Sequence, residues 1–461
     1  MFVFSIRKLV VILVTVLITF FGAGSQSRAQ ESISQEEPTP SSVDEIRTAS
    51  ERAFEQKPVR VGLFPRVKEQ LKDAPPFFRD TKLDLNLRTY YFYRDKYDDT
   101  VSEAWALGGA VSYRSGWFLD RFGLGAVLYT SQRLYGSEDR DGTQLLKPGQ
   151  NGYTVVGQIY GRVKLIEDHF LNLYRYEYNT PYLNKDDGRM TPKTFEGYTL
   201  RGGFGGKAGT LGLWYGGGYI TKIKERNSDR FVWMSQDAGA DVKRGVAVVG
   251  SLLSYGRFSL GAMNYYSNDI INIGYAEAKY TFPVTGGFGM LLAMQFTDQR
   301  SVGDDLLTGS SFAMNQVGVK SEMSYGGGIL TFAYTRNSRG ADLQSPWSSY
   351  PGYTGVQVTD FNRAGENAFI AKVSYDFKRL GLDGTTAYGL FVHGWGKVDP
   401  STKDPVPDEN EFNLDVQWRP QWDFFKGLWL RTRYGVVRQY EGPSKYTHDF
   451  RVIINYDFPL L

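Results

Sequence analysis

From Phe77 to Leu461 the chain is a succession of segments of about ten residues in which apolar and polar side chains alternate, with no helical run between them. We count about 18 of them, at 82–94, 102–115, 121–133, 152–164, 168–176, 195–205, 209–222, 243–255, 257–266, 271–282, 287–298, 312–324, 328–336, 366–377, 385–395, 410–419, 427–437 and 447–458. The connections between them sort by parity. After even-numbered segments they are short ("GWFLD", "LIE", "YG", "VTG", "GG"). After odd-numbered ones many are long: 134–151, 177–194, 223–242, 299–311, 337–365 and 396–409. Short turns at one end and long loops at the other are what a membrane barrel needs, with periplasmic turns and extracellular loops. A soluble all-β protein has no reason to sort its loops this way. An even strand count also returns the C-terminus to the side on which the barrel begins. The fold class expected is therefore all-β: a transmembrane antiparallel β-barrel of about 18 strands with a short N-terminal periplasmic extension.

The strand faces agree. In "LWLRTRYGVV" one face carries Leu428, Leu430, Thr432, Tyr434 and Val436, while the other opens with Trp429, Arg431 and Arg433. Elsewhere Asn86 and Arg88, Tyr160 and Arg162, Lys372 and Ser374, Asn413 and Asp415, and Asp449 and Arg451 fall on the face opposite an apolar stripe. A cation facing lipid at the bilayer midplane costs about 2–4 kcal/mol, so the apolar stripe turns outward and the inner surface is polar and wet.

The N-terminus is read separately. Arg7 and Lys8, the apolar run Leu9 to Phe21 and the small residues Ser27 and Ala29 have the layout of a cleaved signal peptide, residues 1–29. The run is shorter than the ~20 residues a spanning helix needs. Residues 30–76 form a polar, Pro-rich linker in which Ser42 and Glu45 make a capping box for a short helix. Residues 77–461 are the barrel. With no Cys there is no disulfide framework or thiolate metal site. Without its first 29 residues the chain carries 50 Lys and Arg against 50 Asp and Glu, a poor balance for nucleic-acid binding.

Arg431, Arg433 and Arg451 lie on neighbouring strands, and Arg88 lies on the strand that closes against the last. Together they make a row of cations on one wall, suited to holding a carboxylate by bidentate contacts. The bland alternative is that they pair with Asp415, Asp449 or Glu411 and only brace the wall; for Arg162 and Arg175 bracing and function weigh equally. Two loops could narrow the channel. The one after the fifth segment carries Asp186 and Asp187, and the one before the fourteenth carries Asp360, Asn362 and Glu366. An acid such as Asp360 facing a basic wall would favour zwitterions, or cations that carry a carboxylate.

"LDLNLRTYYFYRD", "VTDFNRAGEN", the Arg431/Arg433 pair and the ending "DFRVIINYDFPLL" resemble the OprD family of outer-membrane porins, patchily from about Leu83 to Leu461. The resemblance implies an 18-stranded barrel with inward-folded loops, passing small carboxylate-bearing solutes, amino acids or organic and aromatic acids, by passive or facilitated diffusion. It matches Arg431, Arg433, Arg451, Lys372 and Arg88 to a basic ladder, and puts Asp360 in the loop forming the acidic side of the constriction. The expected setting is a Gram-negative outer membrane, with lipid, lipopolysaccharide and the barrel-assembly machinery as partners, in a monomer or loose homotrimer. No cofactor, metal or nucleic acid is implied, and no enzyme activity. The rivals are a barrel protease or lipase and a closed structural or assembly barrel. For the enzyme the chain offers only His169, His393 and His448, with no Gly-x-Ser-x-Gly elbow.

Overall fold

The computed structural model describes residues 62–206, 210–440 and 445–461. The expected signal peptide, the expected Ser42/Glu45 helix and most of the extension lie outside the described residues.

Eighteen long strands form the wall. They are β1 (Lys82–Asp95), β2 (Val101–Arg114), β3 (Phe122–Tyr135), β4 (Tyr153–Ile166), β5 (His169–Tyr176) and β6 (Thr194–Gly205). Next come β7 (Leu211–Lys224), β8 (Val246–Tyr255), β9 (Phe258–Ser267), β10 (Ile271–Thr281), β11 (Gly289–Arg300) and β12 (Ala313–Tyr325). The last are β13 (Gly328–Asn337), β14 (Asn367–Asp376), β15 (Thr385–Trp395), β16 (Glu409–Trp418), β17 (Leu428–Gln439) and β18 (Lys445–Pro459). Each pairs antiparallel with its neighbour in sequence, and β1 pairs with β18, from Asp84 opposite Pro459 to Asp95 opposite His448. The sheet is closed and leaves no edge strand to be capped. Among the described residues no helix is long and apolar enough to cross a membrane; the strands do the crossing.

The alternation that defines the strands produces a protein turned inside out. On β16 the apolar Phe412, Leu414 and Val416 are 40–46% exposed, whereas Glu411, Asn413, Asp415 and Gln417 between them are at most 2% exposed. Leu292, Met294 and Phe296 on β11 and Val317 and Val319 on β12 extend the same outer belt. A monomer does not leave so continuous an apolar surface to water; it is the lipid-facing band.

The interior departs from the uniformly wet lumen expected. Beside β6–β12 the inner face carries Ile220, Ile223, Tyr265, Ile273, Tyr275 and Met314, which pack against Tyr182, Leu183, Leu343, Trp347 and Tyr350 from the long loops. Inward apolar residues are stable there because the loops, rather than water, cover them. The register slips by a residue at four places, all between β2 and β7: 105/106, 127/128, 164/166 and 196/197. On β2, Gly109 has φ +136° and a Cβ there would meet the Asn86 carbonyl oxygen at 1.9 Å, so only glycine lets β1 and β2 approach at this point.

The described end of the extension is tied to the barrel at its short-turn end. The Leu63 and Phe64 amides donate to the Pro459 and Leu460 carbonyls at 2.9 and 3.0 Å. A short helix, Pro65–Gln70, follows, and Phe77 meets Phe118 of the β2–β3 turn edge-on at 6.3 Å.

Candidate solute pathway in the lumen

The lumen holds a cavity of about 1040 Å³ whose wall includes Arg88, Lys372, Arg431, Arg433, Asp186 and Asp187. Arg431 and Arg433 reach it because they are two apart on β17 and so share its inner face. Both close on Asp415 of β16, which lies opposite Arg433 in register and has no exposed surface. Arg431 Nη2 stands 2.7 Å and Arg433 Nε 2.8 Å from the same carboxylate oxygen. Arg433 Nη2 also donates to the Tyr388 hydroxyl at 3.3 Å, and Lys372 Nζ lies 4.5 Å over the Tyr388 ring. Among the described residues no carboxylate pairs with Lys372. Two cations thus share one carboxylate, with a third beside the Tyr388 ring, and this stretch of wall keeps a positive excess.

The neighbouring cations are placed differently. Arg451, a ladder residue by the sequence reading, is 3% exposed; it pairs with Asp449 at 2.6 Å and donates to the Gln357 carbonyl at 2.9 Å. It braces the wall against a loop and does not face the cavity. Arg88 lines the cavity but is engaged by Asp187 at 2.7 Å and by Asn455 Oδ1 at 2.7 Å. Arg175 does not belong to the lumen at all. It stands opposite the lipid-facing Ile159, on the outer face, where Glu196 pairs with it at 3.1 Å and the Phe231 ring lies 4.0 Å away. Counting alternate residues from the buried Asn172 puts Arg175 on that face. Arg162 lies in the inner wall near the short-turn end, away from the residues lining the cavity.

Both long loops fold into the barrel. In residues 177–193 the Tyr182 hydroxyl meets Thr297 of β11 at 3.1 Å and its amide donates to the Tyr265 hydroxyl at 3.2 Å, while Asp186 pairs with Arg226 at 2.9 Å. Residues 338–366 cross the lumen. Tyr353 donates its hydroxyl to Glu277 of β10 at 2.6 Å, and Gln357 Nε2 donates to Asp449 of β18 at 2.7 Å. Glu411, expected as a partner for arginine, instead accepts the backbone N–H groups of Val358 and Thr359 at 2.9 and 2.8 Å. A carboxylate with two N–H donors is a strong anchor for a turn.

Of the loop residues singled out by sequence, Asp186 and Asp187 line the cavity, and Asp360 keeps a water-accessible edge. Enclosure by the surrounding protein, and then the nearby Asp186 carboxylate, push the Asp360 pKa up to about 6. Asn362 and Glu366 are not pore residues. Asn362 Nδ2 donates to the Leu343 carbonyl at 3.1 Å. Glu366, fully buried, accepts the Arg363 amide at 2.9 Å, and both fasten the loop to itself. Sequence reasoning missed the opposite wall, where Lys279 pairs with Glu277 at 3.0 Å and Lys320 lies 4.7 Å over Tyr353. The signal was present in "YAEAKYTF" and "VGVKSEM", whose charged residues recur at every second position. His393 and His448 face outward, each bonded within the wall, to Asn410 at 2.6 Å and Tyr434 at 2.8 Å.

Residues 75–460 match the family profile described as outer membrane porin, OprD family. Porin D of Pseudomonas aeruginosa is 24% identical over 433 residues, covering 84% of this chain and 93% of that protein. Among solved structures, OccK9 (OpdG) of P. aeruginosa superposes with a TM-score of 0.74 at 25% identity, covering 84% of this chain and 100% of that one. OpdK of P. aeruginosa, solved with vanillate, gives a TM-score of 0.73 at 21% identity, covering 83% of this chain and all of the other.

Proposed function

Because the chain belongs to the OprD family of outer-membrane porins, we propose that its lumen conducts small carboxylate-bearing solutes by passive diffusion, with Arg431, Arg433 and Lys372 as the cations they pass. The Arg431–Asp415–Arg433 clamp carries this reading. Asp415 neutralises one of the two guanidiniums and fixes the orientation of both, so the remaining N–H donors are held ready for a second, mobile carboxylate. An empty clamp that is already ordered loses little conformational freedom on binding, which suits fast, weak, repeated capture. The vanillate held by OpdK is an anion of this class. Asp360, with no cation pairing among the described residues, lets a solute that also carries an ammonium group cross the same constriction. Arg88 and Arg451 act as anchors that keep the loops in place, which sets the width of the path.

Single-channel recording of the refolded protein in a planar bilayer tests this, with arginine, glutamate and benzoate added in turn. The expected result is small discrete openings, interrupted by at least one of these carboxylates, with the interruptions lost in Arg431→Ala/Arg433→Ala. A correctly folded barrel that stays electrically silent would overturn the proposal.

A further inference from the structure

We infer that a second anion station, selective for dicarboxylates, is built at the short-turn end of the lumen by Arg114, Arg162 and Arg201; the inference rests on the channel reading above. All three point inward. Arg114 lies two residues beyond Ser112, which lines the cavity. Arg162 stands opposite the buried Asn172. Arg201 shares its face with Thr199, which bonds the inward loop through Tyr178 at 3.0 Å, while the alternating Tyr198 and Leu200 are exposed to lipid.

Arg162 and Arg201 share the Phe170 ring, and Arg162 lies within electrostatic reach of both Arg201 and Arg114. Among the described residues no carboxylate forms an ion pair with any of them. The Arg162 Nε is buried and has no hydrogen-bond partner. What they do have is an aromatic floor. Trp117 and Phe170 stack at 5.9 Å, Arg162 lies 5.3 and 5.0 Å from their centroids, and Arg201 lies 5.4 Å from Phe170. A guanidinium resting on a ring is fixed in plane, yet all its N–H donors point sideways and none is consumed. Clustered cations repel one another in a partly dry wall, and an anion removes that repulsion while satisfying the donors.

The balance of charge sets the ligand. At the Arg431/Arg433 clamp, Asp415 already supplies one negative charge. Here three cations have none, so a small dianion is better matched than a monoanion.

The test uses the full chain refolded in planar bilayers, with succinate and acetate as probes at equal ionic strength and benzoate as a control. Succinate is expected to interrupt the current for longer than acetate. Arg162→Gln/Arg201→Gln should shorten the succinate interruptions about tenfold, the scale of one lost charge-assisted bond, while benzoate interruptions persist. Arg162→Lys, which keeps the charge but loses the planar fork, should fall between. If the double variant fails to give the heat-shifted migration of a folded barrel, the exposed Arg114→Gln replaces it, with a smaller change in the same direction. Equal dwell times for succinate and acetate in the wild type, or unchanged succinate dwell in the variants, with benzoate still blocking, would overturn the inference and leave the channel reading standing. Loss of all block by every carboxylate would overturn both.

Discussion

Asp415 stands directly across from Arg433 on the neighbouring strand and holds its Nε at 2.8 Å while exposing none of its own surface to the cavity. The residue that organises the basic wall is therefore an acid that a solute never touches. Asp415→Asn should separate charge from order. Without its charge the wall gains one net positive, so permeability to chloride over potassium should rise. Without its grip Arg431 and Arg433 lose their common orientation, so carboxylate interruptions should shorten several-fold. Reversal potentials in a salt gradient and dwell-time histograms on the same channels report the two effects; a variant that lengthens the interruptions would contradict the clamp.

The inward loop of residues 338–366 is anchored at its turn by Glu411. Glu411→Ala leaves the Val358 and Thr359 amides without their acceptor, and each such loss costs about 1–3 kcal/mol if water cannot replace it. The expected outcome is a turn that fluctuates: noisier open-channel current and a larger mean conductance at unchanged barrel content. Quiet openings of wild-type size would mean that the turn is held by its other contacts.

Asp360 supplies a pH dependence. Its pKa is raised to about 6, so it is ionised at pH 8 and loses its charge as the pH falls through 6. Cation selectivity should decline over that window, and block by arginine should weaken more than block by benzoate. In Asp360→Asn both properties should be flat between pH 5 and 8, apart from shifts shared with the wild type.

Glu366 makes a stability prediction of opposite consequence to most carboxylates. Burial, ahead of the charges around it, raises its pKa to about 7, above the ordinary carboxylate value it would regain on unfolding. Between those values the folded chain binds more protons than the unfolded one, so stability is highest at low pH and falls as pH rises towards 7. Glu366→Gln keeps an acceptor for the Arg363 amide and removes the charge. It should raise the urea midpoint in lipid vesicles at pH 8 and flatten its pH dependence; a lower midpoint at pH 8 would argue that the ionised carboxylate is stabilising.

The wall was legible in the sequence because a membrane barrel obeys one rule at every strand: alternate residues meet alternate solvents. That rule placed all eighteen strands within a few residues of their observed bounds, from Lys82–Asp95 to Lys445–Pro459. It also placed Arg431 and Arg433 on an inner face, and flagged Asp415 as a partner for them. It could not say which inward cations meet the solute, because that depends on where the long loops lie. Arg451 was lost to the pore through Gln357, a contact that spans 94 residues and leaves no local pattern. The apolar inner faces of β8–β10 were ambiguous for the same reason: Ile273 facing a loop and Ile273 facing lipid read alike.

The seam between the first strand and the last is also polar on its inner side: Asn86 bonds Asp457 at 2.8 Å, Arg88 bonds Asn455 at 2.7 Å and Arg94 bonds Asp449 at 2.8 Å. The first of these pairs is 371 residues apart in the chain, so the seam can form only when both ends of the chain are present. Arg88 and Asp449 are also among the residues that grip the two inward loops. Closing the cylinder therefore also completes the anchorage of the two loops that narrow its passage.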